Sequence, residues 1–300
     1  MTITEEAPPR LVEPAVDAPV PRRRRRRLSW PQLILLIIAA MVFLFPFYYM
    51  IVGSLQKKQN TSLSGALPQP HNLTLHNYSQ INAALKLGKA LLNSGIFTGG
   101  VLLCTVVFGV LAGYALAQLH FRGRALLFAV MLVLLMVPFQ LLMIPLYVLV
   151  VRNYGLGDSY LGMIAPFAIN STAVFIFRQF FMQLPPELFD AARIDGASER
   201  QILTGIAIPL VRPALITAML LTFIGPWNEF LWPFLITKKQ SLQPLAVALA
   251  NYMSTVSSTA TNPFGAVLAG AFVLAFPAVL LIIAFGRYFV SPDIGSAVKG

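Results

Sequence analysis

Side chains able to do chemistry are few in this chain, and they concentrate in two places. The sequence has 22 basic and 11 acidic residues, but only three histidines and one cysteine. His71, His76 and His120 are scattered without metal-ligand spacing, so no metal site is expected. Cys104 sits alone in an apolar segment, which excludes an intrachain disulfide and a cysteine metal site. No G-x-x-x-x-G-K-S/T phosphate loop occurs, so the chain is not expected to bind ATP by that route, and no cofactor is assigned to it. The first place of interest is Glu229, the one carboxylate inside a long apolar stretch. An ionisable group in such a stretch is a functional candidate by default. With Trp227 and Asn228 it offers an aromatic face and hydrogen-bonding groups that a sugar could use. The structural alternative is that Glu229 bonds to a neighbouring helix or gates a cavity. It has no His or Asp partner at similar depth, which argues against an intramembrane enzyme.

The second place is Leu184–Pro213, LPPELFDAARIDGASERQILTGIAIPLVRP. Pro185 and Pro186 stop the preceding apolar run, and proline suits the first position of a new helix. Glu187 and Asp190 fall in its first turn, where negative charge complements the helix dipole. Leu188, Ala191, Ala192 and Ile194 give an apolar strip that reads as a docking surface. Gly196 is placed to end the helix in the left-handed conformation. Ser198 and Gln201 then form a capping box for a second short helix. A DNA-binding helix-turn-helix has a similar outline. Only Arg193 and Arg200 lie in this one, however, and it is tethered between apolar runs.

The elements that hold these two places are read from hydropathy. The chain is 57% hydrophobic and 11% charged, against about 25% charged in soluble domains, and its mean hydropathy is +0.73. Lipid is the expected solvent for most of it. Six spans are read at about 31–52, 91–118, 125–150, 160–182, 206–236 and 263–290. Residues 1–29 read as a disordered basic tail and 30–300 as the transmembrane domain. Polar loops are expected at 53–89 and 237–262, with the hairpin at 183–205. Pro138, Pro145 and Pro166 predict kinks or breaks. The net charge of +11 does not indicate nucleic acid, because Arg22 to Arg27 form one run just before the first span. Such a run is a topology signal that rests on headgroups. With both ends inside, 15 of the 22 basic residues fall on the cytoplasmic side, as the positive-inside rule requires.

The hairpin resembles the EAA coupling loop of permease subunits in ABC importers of the carbohydrate-uptake, maltose and glycerol-phosphate type. The matching residues are Asp190-Ala191-Ala192, Gly196, Ile206 and Pro209; Asp190 stands for the usual Glu and Ile208 for the usual Leu. Asn72–Tyr78, Phe223–Pro233 and the tail Gly295–Gly300 are similar to segments of such permeases, with the six-span second subunit nearest. The resemblance implies an all-α, six-helix type I importer permease in a bacterial cell membrane. It implies that Glu187, Asp190, Ala191, Ala192, Asp195, Gly196, Ile206 and Pro209 couple to an ATPase. It also implies a second homologous permease subunit, two cytoplasmic ABC ATPase subunits that bind ATP and Mg, and an extracytoplasmic solute-binding protein. An ATP-independent secondary carrier or channel is the alternative.

Overall fold

The computed structural model describes residues 29–60, 62–255 and 262–290. The tail carrying Arg22 to Arg27 and the segment 291–300 lie outside the described residues. The chain divides after Pro46 into two units. In the first, the described residues form the beginning of helix α1 (Trp30–Ser54), and their large apolar side chains are exposed, Phe43 by 77%.

The second unit is helical, and among the described residues the only β pairing is a single bridge between Gln56 and Leu73. After the end of α1 come α2 (His76–Leu85), α3 (Leu87–Gln118), α4 (Arg124–Leu135) and α5 (Phe139–Tyr147). Next are α6 (Tyr160–Ile164), α7 (Ser171–Met182), α8 (Pro186–Ile194), α9 (Glu199–Ile202) and α10 (Ile208–Leu210). The last four are α11 (Arg212–Asn228), α12 (Leu231–Ile236), α13 (Leu245–Thr255) and α14 (Pro263–Val290). Among the described residues, α1, α3 and α14 are each long and apolar enough to cross a membrane alone. Three bent pairs, each counted as one span, give up to six crossings among the described residues.

The bends have sequence causes. The chain turns by 96° between α4 and α5, with Pro138 extended at the corner. Proline cannot continue the hydrogen-bond ladder and disfavours a helical residue before it. Pro145 instead stays inside α5. Pro166 lies in the short turn Ala165–Phe167 between α6 and α7, which bend by 49°.

The fifth segment departs most from expectation. Read as one span over 206–236, it is divided into α10, α11 and α12, with an 80° bend near Val211. Pro233 supplies the second break. Its ring would meet the carbonyl four residues earlier, which belongs to Glu229. Glu229 accordingly adopts an extended conformation, φ −64° and ψ 123°, and a new helix begins at Leu231. The Ser/Thr-rich stretch 237–262 also differs, because it contains the 11-residue helix α13. Leu245, Ala248, Leu249 and Tyr252 recur at helical spacing there and are buried.

The core is anchored on α3. Its glycines Gly109 and Gly113 face α7, where an added Cβ at Gly113 would stand 2.7 Å from the Phe177 Cβ. Small residues at this spacing let two helix backbones meet. One cluster joins Tyr114, Phe177, Phe181, Phe189 and Ile202 at the end of α3. A second joins Ile81, Leu245, Tyr252 and Ala266 near its start. A third gathers Phe97, Val101, Met163 and Trp232. Large apolar side chains such as Leu126, Ile144, Leu280 and Ile283 remain exposed, as expected where lipid or a partner subunit supplies the contact.

Candidate functional site

The hairpin 184–209 is built as its residue types require. Pro186 opens α8, and Glu187 lies in the first turn. At the other end Gly196 has φ +81°, a conformation that a Cβ disfavours. Gly196 N–H donates to Arg193 O at 3.1 Å and Ala197 N–H to Ala192 O at 2.9 Å. This is the paired closure of a left-handed helix end. The Ser198–Gln201 capping box is formed, with Ser198 N–H donating to Gln201 Oε1 at 2.8 Å.

The apolar strip read from sequence is divided between two faces. Ala192 turns inward and is buried with Phe189, which the sequence reading had not singled out. Leu188, Ala191 and Ile194 face outward, Ile194 being 87% exposed. Glu187, Asp190, Asp195 and Gly196 are exposed beside them. Ile206 is half-buried and Pro209 exposed further along. The hairpin thus has an anchored back and a free front carrying Leu188, Ala191 and Ile194 among acidic groups.

A polar cluster that sequence spacing does not reveal secures the back. Arg193 Nε donates to Glu199 Oε1 at 2.9 Å, and Arg193 Nη1 to Asp190 Oδ1 at 3.2 Å. Tyr114, on α3, donates its hydroxyl to the other oxygen, Glu199 Oε2, at 2.6 Å. The hydrogen bond from Arg193, then that from Tyr114, holds the Glu199 carboxyl below its ordinary range. The Tyr114 ring meets Phe181 edge-on at 5.5 Å and Phe189 at 6.4 Å. The only advance signal is that a tyrosine in the last turns of an apolar helix needs a partner for its hydroxyl.

Trp227, Asn228 and Glu229 do not converge. Trp227 is buried and donates its indole N–H to Leu274 O at 2.9 Å, tying α11 to α14. Asn228 is exposed and bonds back to Ile224 O. Glu229 is partly exposed and accepts from Trp232 N–H at 3.2 Å, capping the start of α12. A recess of about 410 Å³ lies elsewhere, near the start of α3, lined by Lys86, Lys89, Gln240, Gln243, Asn251 and Tyr252. Among the described residues no group of three His, Cys, Asp or Glu side chains could hold a metal.

Comparison with known proteins decides the family. Residues 105–290 match the family described as binding-protein-dependent transport system inner membrane component. The chain belongs to this family. It is a permease subunit of an ABC importer, a transport component with the all-α fold of the type I importer permeases. It is 33% identical over 276 residues to the arabinooligosaccharides transport system permease protein AraQ of Halalkalibacterium halodurans, covering 91% of this chain and 97% of that one. It is 34% identical over 265 residues to the sn-glycerol-3-phosphate transport system permease protein UgpE of Yersinia pestis, covering 86% and 92%. A solved bacterial ABC transporter involved in import of the acidic polysaccharide alginate shares the fold. The TM-score is 0.75 at 24% identity, over 86% of this chain and 95% of that one. The permease is a multi-pass bacterial membrane protein. An ATP-independent carrier or channel does not fit these relatives.

Proposed function

We propose that this permease pairs with a second, homologous permease subunit to form the pathway for a sugar, oligosaccharide or polyol-phosphate solute. An extracytoplasmic binding protein delivers the solute. Two ABC ATPase subunits bind ATP and Mg, and the hairpin 184–209 seats on one of them. Closing of the ATPase dimer moves the hairpins and rocks the bundles between inward- and outward-facing forms. Both termini lie in the cytoplasm, a placement supported by the excess of Arg and Lys on that side. The solute class is supported by the relatives, whose names specify arabinooligosaccharides and sn-glycerol 3-phosphate.

The observation that carries this reading is the two-faced hairpin. Phe189 and Ala192 fix its back, while Leu188 and Ile194 project apolar surface beside Glu187, Asp190 and Asp195. Apolar side chains held outward by a rigid support are suited to a protein groove. The test is mild-detergent purification of the tagged chain from its native membranes, followed by mass spectrometry of what accompanies it. A phosphate-loop ATPase and a second polytopic permease are expected. A chain that purifies alone and moves solute in vesicles without ATP would contradict the proposal.

A further inference from the structure

Among the described residues, a directional bond joins the hairpin to the bundle in addition to packing. Phe189 and Ala192 pack into the cluster that Tyr114 of α3 also joins. The bond from Tyr114 to Glu199 opposes sliding, because hydrogen bonds weaken steeply off axis. At 2.6 Å it lies in the range of a charge-assisted O–H···O⁻ contact. Glu199 uses both its oxygens, one for Tyr114 on α3 and one for Arg193 on α8. The carboxylate therefore joins α8 to α3 directly, bypassing the backbone of the turn.

The helix it joins is suited to carry displacement. Of the three long helices α1, α3 and α14, only α3 lacks an internal proline; Pro46 and Pro277 interrupt the others. Proline is a usual site of a sharp bend, and α3 runs as one unbroken helix from Leu87 to Gln118. Near its other end, Asn93 donates to Ser241 O and Gln243 O, both at 3.0 Å, and accepts from the Tyr160 hydroxyl at 2.7 Å. The two attachment points lie about 30 Å apart along the helix.

We propose that Tyr114 is a positioning residue for transport: through Glu199 and Arg193 it passes movement of α8 into α3 and so to the opposite end of the bundle. This rests on the reading of the hairpin as the ATPase contact. The relay separates two properties that packing alone would change together. ATPase docking uses the front of α8, whereas transmission uses the cluster at its back.

The test uses the complete importer, with its ATPase subunits and binding protein, in proteoliposomes. Tyr114→Phe removes the hydroxyl and keeps the ring contacts with Phe181 and Phe189. Glu199→Gln alters the same bond from the other side and guards against a folding defect in the first variant. Both variants are expected to retain the ATPase through purification and to hydrolyse ATP. Solute moved per ATP hydrolysed should fall roughly tenfold, the size expected for loss of one charge-assisted bond. The double variant should fall no further than Glu199→Gln alone, since the Tyr114 contact is common to both changes. An unchanged ratio overturns the relay, even if both rates fall in proportion, as a merely structural role would produce. Failure of the unaltered chain to retain any ATPase overturns the hairpin reading and the relay with it. Retention with an unchanged ratio overturns the relay alone.

Discussion

The two ends of α3 are held by different chemistry. Near its start the contacts are neutral and buried. Asn93 donates to the carbonyls of Ser241 and Gln243, and Ser94 Oγ accepts from Leu245 N–H at 2.9 Å. Near its end a neutral bond from Gln118 Nε2 to Phe181 O at 2.6 Å is joined by a charged one, from the Tyr114 hydroxyl to Glu199 in the hairpin. Both ion pairs among the described residues, Arg193–Asp190 and Arg193–Glu199, lie in the hairpin, and the Arg193 side chain is 35% exposed. A buried neutral amide bond is costly to break and insensitive to salt. An exposed ion pair is weak and screened. The start of α3 is thus tied by neutral amide and hydroxyl groups, while its end is tied to the hairpin through charged groups.

The largest effect is expected from Gly196→Val. A β-branched residue at φ +81° is an outlier, so the helix end should rearrange and displace α8. Transport should fall by more than roughly tenfold while ATP hydrolysis persists, the strain alone being about 1–2 kcal/mol. Transport assays of the intact complex at wild-type rates would remove the hairpin from the mechanism. Asn93→Ala tests the start of α3. It leaves the Gln243 carbonyl, which is buried, and the Ser241 carbonyl and Tyr160 hydroxyl, which are less so, without this partner, and should cost about 2 kcal/mol in thermal unfolding, with little dependence on salt. A strong salt dependence would blur the contrast between the two ends.

Trp227→Phe should be milder. It removes the bond to Leu274 O and should cost about 1 kcal/mol, with solute preference unchanged in uptake competition. A changed preference would place Trp227 on the solute pathway. Asp190→Asn is expected to be smallest. Its pair with Arg193 is exposed, so the isolated chain should lose no more than about 0.5 kcal/mol. A larger loss would mean that the hairpin end is as fixed as the start of α3.

The hairpin was largely legible because each of its corners depends on a residue with a local backbone preference. Pro186, Gly196 and the Ser198–Gln201 pair act through neighbours within a few positions. The relay was not legible, because Tyr114 and Glu199 are 85 positions apart and only the fold brings them together. The inward turn of Ala192 is not legible for a related reason: small apolar residues suit either face, and Phe189 decides which face packs. The break at Glu229 could have been read from Pro233, which lies four residues on, but apolar composition favoured a continuous span. Helix α13 was obscured by the Ser and Thr around it, although Leu245, Leu249 and Tyr252 repeat at helical spacing. Fold class survived these misreadings because it rests on long apolar runs, whereas the position of each break rests on single prolines.

The contact between hairpin and ATPase is tested most directly by cysteine cross-linking in a Cys104→Ser background. Ile194→Cys places a thiol on the exposed front of α8, and Ala192→Cys places one on its buried back. With a short thiol-to-amine reagent in native membranes, the Ile194 variant should form an adduct with a phosphate-loop ATPase, and the Ala192 variant should not. Absence of an ATPase adduct at Ile194, or equal adducts at both positions, would contradict the assignment of this face as the coupling surface.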